Sequence, residues 1–254
     1  MSKYRIITLS GLTLYISLVV AASTIFSSPT KNLNTESSEE IKESADTTAI
    51  AENDADRYTR LTEDDSRVVA EMLDVEPAAI KAIVEIEAGT THQGFHSPGK
   101  PIINFDLSMF RQFARKNGVN LSRYSKSHST VFQSPNARRY GSTQAGQQER
   151  LRLARSIDNK TAIEGTFWGL FQIGGFNWKL CGCSSIDEFV ERMSDSERSQ
   201  LEMFAVFIKN IGLDKALRKK DWATFARVYN GASYANRGYH TRMAAAYARH
   251  AKKK

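Results

Sequence analysis

Apolar positions along this chain recur at helical spacing, in stretches separated by polar segments rich in Gly and Ser. Thr62-Glu63-Asp64-Asp65 has the form of a helix N-terminus with an acid at the fourth position, and Val68, Val69 and Met72 follow at helical spacing. Pro77 fits the first turn of a second helix, which carries Ala79–Ala88 and which Gly89 can end. Segments 107–117, 144–158, 186–193, 195–210, 221–229 and 240–251 show the same periodicity, whereas 118–143 is polar and reads as a loop. Between the second helix and residue 107, Ser97-Pro98-Gly99 separates two short extended pieces within 94–105, which predicts a small hairpin. The expected fold is mainly α (α+β), a single helical domain with a small β-hairpin over residues 61–252.

The pattern upstream is different. Lys3 and Arg5 precede residues 6–26, a run without a charged side chain and long enough to span a bilayer. Residues 1–26 are therefore expected to be a signal peptide or membrane anchor. Ala21-Ala22-Ser23 offers small residues for cleavage, while Thr8, Ser10, Gly11, Thr13, Ser17 and Thr24 dilute the span, as in the signal-arrest-release segments of phage lysis enzymes. Each of these three modes places the protein in the periplasm or outside the cell. Residues 27–60 hold few large apolar side chains and read as a disordered acidic linker.

Charge sharpens the expectation. The chain carries +7 overall although residues 27–56 are strongly acidic, so the domain beyond them is more basic still and suits an anionic partner. Zinc spacing and basic aromatic motifs are lacking, which argues against nucleic acid. His92, His96, His128, His240 and His250 are scattered, so no metal or other cofactor is expected. Cys181 and Cys183, one residue apart, read as two ordinary thiols, because a bridge across one residue is strained.

One position breaks the hydrophobic pattern. With about 100° per residue and Ile80 at zero, Ile83 and Val84 lie roughly 60° and 40° to either side, and Glu87 roughly 20° away. Glu85 lies on another face, around 140°. Glu87 thus projects inward from the last turn of an apolar helix, where the macrodipole disfavours negative charge. A carboxyl against apolar walls keeps its proton to higher pH, the condition for a general acid that protonates a leaving oxygen. Downstream, 167–177 (FWGLFQIGGFN) combines glycines, aromatic rings and amides, and Tyr229-Asn230-Gly231 is followed by Tyr234 and Tyr239. Rings that cover sugar faces and amides that pair with hydroxyls suit a glycan site.

Taken together, the entry 61–64, the helix with Glu87, the strand-like 102–106, Trp168-Gly169-Leu170-Phe171-Gln172-Ile173, Phe176-Asn177, 180–182, Asp221-Trp222, Tyr229-Asn230-Gly231 and 245–247 resemble the N-acetylmuramidase domain of phage endolysins. That family is similar to goose-type lysozymes and lytic transglycosylases. The resemblance implies a lysozyme-like domain that cleaves the β-1,4 bond between N-acetylmuramic acid and N-acetylglucosamine, with Glu87 as the acid. It implies Asp106 as a second catalytic carboxylate, and Trp168, Gly169, Phe171, Gln172, Asn177, Tyr229, Asn230 and Tyr234 as substrate-binding residues. The expected partners are peptidoglycan strands and, through the N-terminus, a membrane; the expected state is a monomer. Two positions depart from the family: Ala88 stands where Ser is usual, and Asp106 where Glu is usual. A lytic transglycosylase and a catalytically silent wall-binding module remain the alternative readings.

Overall fold

The computed structural model describes residue 58 and residues 60–88, 93–133 and 143–252. The expected N-terminal apolar segment, nearly all of the acidic linker, Gly89 and His92 lie outside the described residues. Among the described residues, no helix is long and apolar enough to cross a membrane.

The domain opens with α1 (Glu63–Leu73), whose capping box is closed in both directions. Thr62 Oγ1 accepts from Asp65 N at 3.2 Å, and Asp65 Oδ2 accepts from Thr62 N at 2.7 Å. Helix α2 (Pro77–Glu87) starts on its proline, whose missing N–H costs nothing at that position. Ile80 and Ile83 are fully buried, and α2 packs most extensively against the last helix, α11 (Tyr239–Lys252). Glu85 ties these two helices together, accepting from Arg249 and, at 2.9 Å, meeting His250 Nε2. Burial pushes the Glu85 carboxyl up, but His250 and Arg249 outweigh it and hold it below its ordinary range. The glutamate on the helix's other face is thus a clamp.

The β region differs from a simple hairpin. Strands β1 (Phe95–Ser97) and β2 (Lys100–Pro101) do pair antiparallel. The expected second arm continues as β3 (Ile103–Phe105), which leaves β2 and pairs with β4 (Thr166–Trp168), itself paired with β5 (Ile173–Gly174). Ile103 stands opposite Trp168 and Phe105 opposite Thr166. Hydrophobic pattern marks a strand but does not name its partner. Helices α3 (Leu107–Lys116), α5 (Gln144–Ile157) and α6 (Asn159–Glu164) surround this sheet.

The segment read as a loop over 118–143 holds regular structure in its described part. It contains a 3-10 turn at Leu121–Tyr124 and a short helix α4 (Ser129–Phe132). Asn120 Oδ1 caps the 3-10 turn through Ser122 N at 3.1 Å. Arg150 of α5, fully buried, donates through Nε and Nη2 to Val131 O at 3.1 and 2.8 Å, through Nη2 to Gln133 O, and lies 5.1 Å from the Phe105 ring centroid. A side chain in another helix therefore supplies the order that the local sequence lacks. Replacing it by Leu strands a buried carbonyl, at a cost of about 1–3 kcal/mol. For a domain of this size, Arg150→Leu should lower Tm by roughly 2–12 °C in calorimetry.

The rest of the core is helical: α7 (Ile186–Asp195), α8 (Glu197–Asn210), α9 (Asp214–Arg218), α10 (Trp222–Asn230) and α11. In α8, Leu201, Met203, Phe204, Ala205, Phe207 and Ile208 are all buried. Cys181 and Cys183 are free, buried thiols, and burial pushes the Cys181 thiol up, so that it stays protonated. The mostly helical α+β fold expected from the pattern is observed, as is the lysozyme-like domain that the resemblance implies.

Candidate active site

Glu87 occupies the last turn of α2, with Ala88 N closing the helix onto Val84 O at 2.9 Å. Helix α10 ends at Asn230, 143 residues further along, and Asn230 Nδ2 donates to Glu87 Oε1 at 2.8 Å. Burial raises the carboxyl to about 7; the Asn230 N–H and the positive charge of Arg242 on α11 pull in the other direction without winning. Glu87 keeps partial contact with solvent, so the proton it retains near neutrality is accessible to an incoming group.

Three chain segments meet here for local reasons. Gly231, with φ of 80°, terminates α10 just after Asn230. The apolar stripe of α10 buries Phe225 and Ala226 and turns Tyr229 toward the core, where its ring stacks on Phe225 at 5.7 Å and meets Phe204 edge-on at 5.5 Å. Tyr229 OH donates to Phe171 O at 2.8 Å. Burial, reinforced by the charge of Glu87, holds the phenol well above its ordinary range, so it remains a donor. Phe171 belongs to the turn between β4 and β5. That turn is built on Gly169 at φ 69° and on Gln172 at φ 49°, a left-handed conformation that non-glycine residues rarely adopt. Gln172 accommodates it by donating from Nε2 and from its backbone N to Gly169 O, at 2.9 and 3.1 Å.

The expected substrate residues separate into groups. Glu87, Asn230 and Tyr229 are brought together, with the Gly169–Gln172 turn behind them. Trp168 and Phe171 are 2% and 4% exposed. Trp168 Nε1 donates to Ile163 O at 3.3 Å and its ring meets Phe189; Phe171 stacks on Phe204 at 4.3 Å. Rings already enclosed by core cannot cover a sugar, so these two support the turn from beneath. Asn177 sits in the 3-10 turn Gly175–Asn177, and its carbonyl accepts from Cys181 N at 3.0 Å. Tyr234 meets His240 edge-on at 5.2 Å. Both stay partly exposed.

Asp106 is the N-cap of α3. Its Oδ1 accepts from Ser108 N at 2.8 Å, Ser108 Oγ at 2.6 Å and Met109 N at 3.0 Å. A short acid immediately before a helix has a structural reason to be there, and among the described residues no second carboxylate acts on the ionisation of Glu87.

Sequence reasoning missed Arg242, which lies in a polar position of α11 and carries no local signal. It also missed Glu197, whose carboxyl is buried to 1% exposure and likewise raised to about 7 by that burial and by Asp65, against the Gly94 N–H. The periodicity that singled out Glu87 would have found it.

Comparison with known proteins places the chain in a family. The family model described as N-acetylmuramidase matches residues 76–251, well over half of the chain. A search of curated proteins found no match. Among solved structures, the chain is similar to the endolysin of Burkholderia AP3 phage, with 33% identity and a TM-score of 0.66 over 76% of this chain and 73% of that one. The matched region begins at the residue before α2 and ends in α11, and so contains Glu87, the Gly169–Gln172 turn, Asn230 and Arg242. The chain belongs to the N-acetylmuramidase family.

Proposed function

We propose that this protein is an endolysin-type muramidase that cleaves peptidoglycan at the β-1,4 bond between N-acetylmuramic acid and N-acetylglucosamine. The observation that carries the reading is Glu87, a partly accessible carboxyl held protonated to about pH 7 by its surroundings and bonded to Asn230, in a chain of this family. Protonated Glu87 donates to the glycosidic oxygen as the bond to the muramic C1 breaks. Asn230 fixes the side-chain rotamer, and its N–H stabilises the carboxylate left after transfer. Arg242 adds to that stabilisation from a longer distance. Gln172, Asn177 and Tyr234, all partly exposed, are available to glycan hydroxyls and ring faces.

Water then completes hydrolysis. One observation favours a second reading, a lytic transglycosylase: the Asp106 carboxylate is engaged as a cap, and capture of the muramic 6-hydroxyl requires no second carboxylate. Mass spectrometry of muropeptides released from purified peptidoglycan tests both. Reducing N-acetylmuramic ends support hydrolysis, anhydro ends support transglycosylation, and reducing N-acetylglucosamine ends would reject both assignments of the bond. The wall is reached outside the cytoplasm, which fits the apolar N-terminal run as an export segment or anchor; fractionation showing only cytosolic protein would sink that part.

Asp106→Asn separates the two roles of that residue. Asn caps helices as well as Asp does. Activity within about threefold of wild type is expected on this cap reading. A loss comparable to removal of a general base, about 10²–10⁴-fold, would restore Asp106 to the chemistry.

A further inference from the structure

Helix α8 carries two polar residues among its buried ones. With Leu201 at zero, Ile208 and Phe204 lie roughly 20° and 60° away and Glu197 roughly 40°. Glu197 and Gln200 are each 1% exposed. Their partners are backbone groups of two distant segments. Glu197 Oε1 accepts from Gly94 N at 2.6 Å. Gln200 Nε2 donates to Gly94 O at 3.3 Å and to Met193 O at 2.8 Å, and Gln200 Oε1 accepts from Leu170 N at 2.8 Å. Ile102 closes the network: its N donates to Gly94 O and its O accepts from Gly169 N, both at 2.8 Å.

Two glycines make this approach possible. A Cβ on Gly94 would come within 2.4 Å of Gln200 Oε1, and one on Gly169 within 2.6 Å of the same atom. Gly94 lies a short way along the chain from Glu87, between the end of α2 and β1. Leu170 precedes Phe171, whose carbonyl holds Tyr229 beside Asn230. One turn of α8 therefore holds both Gly94, which follows α2 in the chain, and the turn that supports Tyr229.

We propose that Glu197 and Gln200 are positioning residues: they lock the chain leaving α2 at Gly94 to the Gly169–Leu170 turn, and so keep Glu87 in its water-poor, hydrogen-bonded setting. The inference rests on Glu87 as the acid. Among the described residues, the groups that act on Glu87 are Asn230 from α10 and Arg242 from α11, and its charge in turn acts on Tyr229 of α10. Those facing Glu197 are Gly94 N and the charge of Asp65, which Arg198 pairs at 3.1 Å. A buried carboxylate with one N–H partner costs stability; positional control of the site is a reason for retaining it.

The test is the pH profile of kcat/KM on purified peptidoglycan for full-length Glu197→Ala, Glu197→Gln and Glu87→Gln, with Tm measured for each. Glu197→Ala frees Gly94 and admits water near Glu87. It should lose about tenfold in kcat/KM and shift the alkaline limb down by about one pH unit. Glu197→Gln retains an acceptor for Gly94 N and should restore both. A merely stabilising role would reduce the active fraction at every pH and leave the limb in place, so an unmoved limb in folded Glu197→Ala overturns the proposal. If that variant does not fold, Gly94→Ala, whose Cβ would displace the Gln200 amide and press on Glu197 Cγ at 3.3 Å, should shift the limb the same way; an unmoved limb there overturns it equally. A fully active Glu87→Gln would instead reject the acid assignment, which distinguishes the two failures.

Discussion

Glu87→Gln is expected to lower turnover on peptidoglycan by about 10²–10⁴-fold, the usual contribution of general acid catalysis. The substitution is close to isosteric, and the amide oxygen can still accept from Asn230 Nδ2, so the α2–α10 contact survives. Only the transferable proton is lost. Stability should not fall and should rise at neutral pH, because Glu87 ionises near 4.5 in the unfolded chain but only near 7 in the fold, whereas the amide has no charged form to desolvate. Turbidity clearing of purified cell walls, with Tm measured on the same sample, checks both halves of the expectation. A folded variant with near-normal lysis would remove Glu87 from the chemistry and the proposed mechanism with it.

The second large effect is on pH. An ordinary glutamate releases its proton near 4.5, whereas Glu87 holds it to about 7. The acid must be protonated to act, so kcat/KM should be level on the acidic side of that value and fall about tenfold per pH unit above it, reaching roughly 100-fold at pH 9. The sign follows from burial as the largest influence, which disfavours the charged form and outweighs both Asn230 and Arg242. Rates measured in buffers of constant ionic strength isolate this limb from screening of the basic surface. A limb that breaks below about pH 5.5 would mean that Glu87 is effectively hydrated.

Several features were legible from residue spacing because they depend only on local geometry. The Thr62–Asp65 capping box, the proline start of α2 and the inward angle of Glu87 are of this kind. The strand partner of Ile103–Phe105 was not, since Thr166–Trp168 lies some sixty residues away and pattern specifies a face rather than a neighbour. The burial of the Trp168 and Phe171 rings was not legible for a related reason. An aromatic ring suits a core and a sugar face equally, and only the helices above it, through Phe189 and Phe204, decide which it meets. Asp106 shows the same ambiguity for charge: an acid before a helix is both a possible catalyst and a good cap, and its three short hydrogen bonds establish the cap.

By itself the sequence determined helices, caps, a buried carboxyl among apolar neighbours, and motifs sufficient to recognise the family. Tertiary structure alone decided what meets that carboxyl, Asn230 from α10 and Arg242 from α11, and that Glu197 and Gln200 of α8 bond to Gly94 and Leu170. The physical reason is that helical phase is a property of consecutive backbone angles, whereas desolvation and hydrogen bonding depend on atoms contributed by segments far apart in the chain.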